Sequence, residues 1–165
     1  MRYIRFSKAS RQSGLTWGGI TLLTALLLLC LTPRPAAILW MVSSLSLLPP
    51  LWLLTVLHLC WYFAVGFTVG CLFSVSPGRA WDGLFWRGAT MLLLGMTMAA
   101  VWYILLFGKG LILLSGLFLL PCGGAMAMTA LCWRFRYPAV ALSVVVCALW
   151  PIFLFGCQLV CILSA

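Results

Sequence analysis

Four tryptophans, Trp52, Trp61, Trp102 and Trp150, together with one glutamine, Gln158, stand out in this chain because they carry polar groups in surroundings that offer them nothing to bond to. An indole N–H donates one hydrogen bond, and a primary amide donates two and accepts at its oxygen, so each needs partners where water is absent. Trp150, Phe153, Leu154, Cys157, Gln158 and Cys161 recur at three- and four-residue intervals and therefore share one helix face. Two uses of such a face are open. Its polar groups can bond to neighbouring helices and hold a bundle together, or they can punctuate an aromatic-lined apolar pocket that suits a flat hydrophobic ligand.

The equipment for other chemistry is scarce. Asp82 is the one acidic residue and His58 the one histidine, so paired-carboxylate catalysis and carboxylate metal sites are excluded by count. His58 reads as a packed or loop-facing histidine, since Cys60 is the only good second ligand near it. The eight cysteines form no CxxC and are scattered through apolar runs, as buried small thiols are. No metal site and no obligatory cofactor is expected.

The elements that position these residues follow from composition. With 65% hydrophobic residues, 7% charged and a mean hydropathy of +1.21, the chain has more apolar surface than a soluble fold of 165 residues can hide. It reads as an integral, multi-pass all-α membrane protein. The net charge of +9 comes from Lys and Arg residues set singly or in small groups beside apolar runs, which marks topology and lipid headgroup contact rather than nucleic-acid binding.

A basic N-terminus, residues 1–14, precedes a first apolar run with no small-x-small cleavage site after it, so the run is expected to remain as the first helix. Five spans are predicted, at about 15–32, 51–73, 83–107, 111–133 and 138–163, with residues 33–50 as a loop and 15–165 as one domain. Asp82 is placed to cap the third span and Gly108-Lys109-Gly110 to turn the chain into the fourth. Pro121 and Pro151 should disturb the fourth and fifth helices, the latter around Cys147 one turn earlier. Gly66 and Gly70 form a GxxxG, a candidate close-packing face.

Charge placement orients the bundle. A cytoplasmic N-terminus puts Arg2, Arg5, Lys8, Arg11, Arg79, Arg87, Arg134 and Arg136 inside against Arg34 and Lys109 outside, with the C-terminus outside, whereas a sixth span would divide the charges evenly. Trp17, Trp81, Trp86, Trp133 and Tyr137 then fall near membrane surfaces as an aromatic belt. With these charges and no transit peptide, a prokaryotic cell membrane is the expected location.

The order of features resembles the TspO/MBR family, the tryptophan-rich sensory proteins and the mitochondrial translocator protein. The run MAAVWYILLFG, Met98–Gly108, is similar to the family's LNxxWxPLFFG, and VCALWPIFLFGCQ, ending at Gln158, is similar to its PYLxWxxFxxxLN. Pro49-Pro50-Leu51-Trp52 resembles the PPxW that ends the family's first loop, and the family's second-helix tryptophan corresponds to Trp61 or to Trp52. Departures are specific: the family's third-helix asparagine falls on Ala99, its following proline on Tyr103, and its fifth-helix asparagine on Gln158, while the C-terminal Tyr-plus-basic pattern proposed for cholesterol is missing.

The resemblance implies a five-helix bundle, with a homodimer as one state it can take, that binds a tetrapyrrole such as porphyrin or haem, or a related lipid-like apolar ligand, as sensor or transporter. Trp102, Trp150, Phe153 and Leu154 would line the cavity, Trp52 or Trp61 would close it, and Gln158 would brace the helix or offer its amide. Two rivals stand beside this reading: a membrane enzyme that degrades porphyrin, disfavoured by the lack of acid–base residues, and an accessory subunit whose aromatics serve only helix contacts.

Overall fold

Hydrocarbon offers backbone N–H and C=O groups no partners, so an apolar chain crosses a membrane as helices whose hydrogen bonds close within each segment. A computed structural model describes residues 8–32, 50–74 and 83–163, and its regular elements are all helical. They are α1 (Lys8–Leu31), α2 (Leu51–Ser74), α3 (Gly83–Tyr103), α4 (Ile112–Trp133) and α5 (Pro138–Leu163). Counting the π-helical turn that extends α3, five helices among the described residues are long and apolar enough to cross a membrane. The expected loop residues 33–49, Trp81 and the Asp82 cap lie outside the described residues.

Local chemistry accounts for the helix ends. Pro50 stands just before α2, where a missing N–H costs nothing, and its carbonyl accepts from Leu53 and Leu54 at 2.9 and 3.2 Å. Pro138 occupies the first position of α5 for the same reason. After Tyr103 the chain widens into the π-helical turn, Ile104–Gly108, and it reverses at Gly110, whose φ of 69° is left-handed and favours glycine. The main difference from expectation is at the start: α1 begins at Lys8 rather than at Leu15, because nothing in Lys8–Gly14 breaks a helix and polar turns can continue into the headgroup layer.

The helices pack in the order α1, α2, α5, α4, α3, with α2 and α5 the least extensively joined of these neighbours. The α1–α2 seam is built from small residues. A Cβ at Gly66 would lie 2.7 Å from the Trp17 carbonyl oxygen, and one at Gly70 would lie 2.4 Å from that of Ser13, so the GxxxG is a true backbone-to-backbone contact. Gly14 and Gly18 face it from α1, receiving the rings of Phe67 and Phe63. Thr21 adds a cross-helix bond, its Oγ1 donating to the Tyr62 carbonyl at 2.9 Å.

Trp133 departs from its expected place in the belt. Its ring is 1% exposed and fills the slot left by Gly88 on α3, with Nε1 donating to the Phe85 carbonyl at 3.4 Å. The absent side chain at Gly88 makes inward packing available, and burying an indole with its N–H satisfied outweighs placing it at the interface. Trp17 and Trp86, by contrast, are exposed at the bundle surface.

Two buried clusters fill the interior. One spans α2 to α5 around Trp61, Tyr62, Leu92, Met126 and Val144, and the other gathers Trp102, Tyr103, Leu106, Leu119 and Leu154. Trp150 packs against both.

Candidate functional site

The junction of the two clusters is organised by hydrogen bonds that begin with a proline. Pro151 has no N–H, so the carbonyl four residues earlier, at Cys147, loses its helical donor although α5 runs on unbroken. Trp61 of α2 supplies the replacement: its Nε1 donates to the Cys147 oxygen at 2.7 Å. The disturbance expected around Cys147 is therefore a docking point for α2, where its contact with α5 is less extensive than the other neighbouring seams.

Two turns beyond Pro151 along α5, Gln158 ties three elements together. Its Oε1 accepts from Trp102 Nε1 of α3 at 3.1 Å, and its Nε2 donates to Ser115 Oγ at 2.6 Å and to the Ile112 carbonyl at the start of α4. Ser115 Oγ donates in turn to the same Ile112 carbonyl at 2.8 Å. Both amide hydrogens and the amide oxygen are engaged, so Gln158 acts here as a brace.

Trp150 Nε1 donates to Nδ1 of His58 at 3.1 Å. His58 is thereby drawn into a box of rings. Trp61 and Tyr103 lie near-parallel to it, each with a centroid separation of 5.8 Å and an interplanar angle of 9°. Tyr62 approaches edge-on at 5.1 Å, Trp102 at 5.4 Å, and Trp150 is tilted at 6.4 Å. Aromatic contacts of this range are attractive beyond the area they bury. Two polar atoms inside the box are buried without a hydrogen-bond partner, Nε2 of His58 and the hydroxyl of Tyr62.

The structure thus brings together Trp61, Trp102, Trp150, Leu154 and Gln158 from the residues singled out by sequence, and leaves two outside. Trp52 is 67% exposed near the start of α2, so of the two candidates for the second-helix tryptophan it is Trp61 that joins the cluster. Phe153 is 45% exposed and covers Trp150 from the lipid side, its ring stacked at 5.6 Å. His58, Tyr62 and Tyr103 were missed as site residues. The signal for the first two was present, since His58, Trp61 and Tyr62 are spaced to share one face of α2. Tyr103 follows Trp102 directly, and only the assembled bundle lets its ring reach across to His58 on α2.

No family model, curated protein or solved structure matches the chain. The site must be read from its own chemistry.

It offers aromatic faces and two unpaired polar atoms, and among the described residues no group of three or more His, Cys, Asp or Glu is placed to hold a metal ion. Beside it, between α2 and α5, runs an open apolar groove of about 500 Å³ whose walls include Phe63, Phe67, Val146 and Cys147. Its two hydroxyls are already used within their own helices, Thr68 donating to the Ala64 carbonyl at 2.8 Å and Ser143 to that of Ala139 at 3.0 Å. Cys147 joins groove to box, because it lines the first and accepts the Trp61 bond at the edge of the second.

Proposed function

We propose that this multi-pass membrane protein binds a tetrapyrrole, porphyrin or haem, or a similarly flat apolar ligand, at the aromatic box around His58, and that it works as a sensor or transporter of that ligand rather than as an enzyme. The observation that carries the reading is the pair of unpartnered polar atoms, His58 Nε2 and Tyr62 Oη, on adjacent turns of α2, with the rings of Trp61, Trp102, Tyr103 and Trp150 gathered around the imidazole. Leaving a buried polar group unpaired costs on the order of 1–3 kcal/mol, and a ligand that bonds to it while stacking on the rings recovers that cost. The groove between α2 and α5 offers an apolar molecule a surface beside the box, which it meets at Cys147. The motifs around Trp102 and Trp150 that resemble the TspO/MBR family support the same ligand class, and an N-terminus in the cytoplasm of a prokaryotic cell accords with the distribution of Lys and Arg.

A structural role is the second reading, and it too has an observation behind it. The indole N–H groups of Trp61, Trp102 and Trp150 and the amide of Gln158 are all satisfied by neighbouring helices. Titrating the purified protein in detergent with protoporphyrin while following tryptophan fluorescence separates the two. Saturable quenching in the micromolar range is expected, and Trp150→Phe should weaken the affinity about tenfold through the loss of the indole and of the bond that orients His58. If quenching does not saturate, and Trp150→Phe alters thermal stability alone, the box is a packing device.

A further inference from the structure

The hydrogen-bond direction inside the box fixes which ligands the imidazole can serve. An indole nitrogen can only donate, so the 3.1 Å contact from Trp150 Nε1 makes Nδ1 of His58 the unprotonated nitrogen. In the neutral ring the proton then resides on Nε2. An iron or other metal ion bound at Nε2 needs a lone pair at that atom, and shifting the proton to Nδ1 would turn two N–H groups toward each other. The second unpaired group agrees with a donor site: Tyr62 is 3% exposed, its hydroxyl has no partner, and its ring meets that of His58 edge-on one turn along α2. The indole nitrogens of the box are donors already committed, Trp61 to the Cys147 carbonyl, Trp102 to Gln158 and Trp150 to His58 itself.

We infer that His58, held as the Nε2–H tautomer by Trp150, and Tyr62 form a donor site for a hydrogen-bond acceptor at the edge of the ligand, so that a tetrapyrrole is held through an oxygen such as that of a propionate rather than through axial ligation of a metal. The ligand half of this rests on the tetrapyrrole reading above. The tautomer does not, and it can be measured without any ligand.

His58 is the chain's only histidine, so protein labelled with ¹⁵N-histidine and held in detergent micelles gives a single pair of imidazole nitrogen resonances. The expected result is a neutral ring at neutral pH with Nε2 protonated and Nδ1 not, the latter moving in Trp150→Phe. A ring protonated at Nδ1 overturns the inference. The ligand half is tested by titrating wild type and His58→Phe with metal-free protoporphyrin and with ferric haemin. The variant keeps an aromatic ring and removes the donor, and it should weaken protoporphyrin binding about tenfold. Haemin should keep the absorption it shows in the same detergent alone. A low-spin, imidazole-ligated haemin spectrum that disappears in His58→Phe shows axial ligation by Nε2 and overturns the inference. Equal protoporphyrin affinity in both proteins overturns the donor role. If neither compound quenches tryptophan fluorescence in wild type, the tetrapyrrole reading and the ligand half fail together, and the tautomer result stands by itself.

Discussion

The bond from Trp61 to Cys147 should behave as a substitute for a missing helical hydrogen bond, and a double-mutant cycle with Pro151 can isolate it. In Trp61→Phe the ring remains against His58, but the Cys147 carbonyl loses its donor at a seam that lipid rather than water would fill. The 2.7 Å separation is at the short end of the range for N–H···O bonds, so the interaction belongs among the stronger interhelical bonds. Such bonds in membrane helices average ~0.6 kcal/mol and reach ~1.7 kcal/mol, whereas an orphaned buried carbonyl costs about 1–3 kcal/mol. Taken together these place the polar part of the loss near 1.5 kcal/mol, in addition to the smaller ring. Pro151→Ala restores a backbone N–H four residues beyond Cys147, which can take the carbonyl back into the α5 ladder. In that background Trp61→Phe should cost only its ring-size contribution. The effects of losing proline itself and of shrinking the indole both cancel in the cycle. Reversible unfolding of the four proteins in mixed micelles should therefore give a coupling energy of about 1–1.5 kcal/mol. If Trp61→Phe costs the same in both backgrounds to within ~0.4 kcal/mol, the carbonyl freed by Pro151 is not what holds α2 to α5.

Two further substitutions test the frame around the box. Gly70→Ala puts a methyl group 2.4 Å from the Ser13 carbonyl oxygen and 2.8 Å from the Gly14 Cα, so α1 must retreat by roughly 1 Å. A stability loss of about 1–3 kcal/mol is expected in the same unfolding assay, whereas Gly19→Ala, with no atom within 4 Å of the new Cβ, should be close to neutral. Equal effects of the two would show that the α1–α2 seam tolerates separation. Gln158→Leu removes three bonds at once and strands the Trp102 N–H, whose ring is 4% exposed. The expected loss is about 1–2 kcal/mol, seen as a lower midpoint of thermal unfolding in detergent, with Gln158→Asn in between because its amide sits ~1.5 Å short of one set of partners. A Gln158→Leu protein as stable as wild type would remove the brace from this account.

What could be read from the sequence divides along physical lines. Spans are visible because lipid selects on composition over a whole helix length, and their ends are visible where a residue type permits one geometry, as at Pro50, Gly110 and Pro138. The start of α1 was hidden because a polar turn such as Lys8–Gly14 is equally compatible with helix or tail at the membrane surface. The Trp150–Gln158 face was visible through its helical spacing, but the use of its polar groups was not, since donors and acceptors on a single helix do not say which neighbour they meet. Trp133 was misplaced for that reason. Its position near a helix end suits a belt, and only the pairing of α4 with α3 puts Gly88 opposite it.

His58 was undervalued because a lone histidine has no sequence partner to lend it meaning, and its significance comes from what surrounds it. The three indole N–H groups of the junction are all directed at atoms of α5 or α2, so what the tryptophans still have to offer a ligand is their faces. Faces recognise size and flatness and are nearly indifferent to the pattern of hydrogen-bonding groups on the ligand. Polar discrimination must then come from the two unpaired atoms, and both belong to α2. Under the proposed function this divides the work: changes at Trp102 on α3 should alter affinity for all flat ligands together, while changes at His58 or Tyr62, or at Trp150, which orients His58, should alter the ranking among them. Because α2 packs most extensively on α1 and only sparsely on α5, a displacement caused by a ligand at His58 should carry α1 and α2 together relative to the other three helices, a motion that suits a sensor or a transporter in a bilayer.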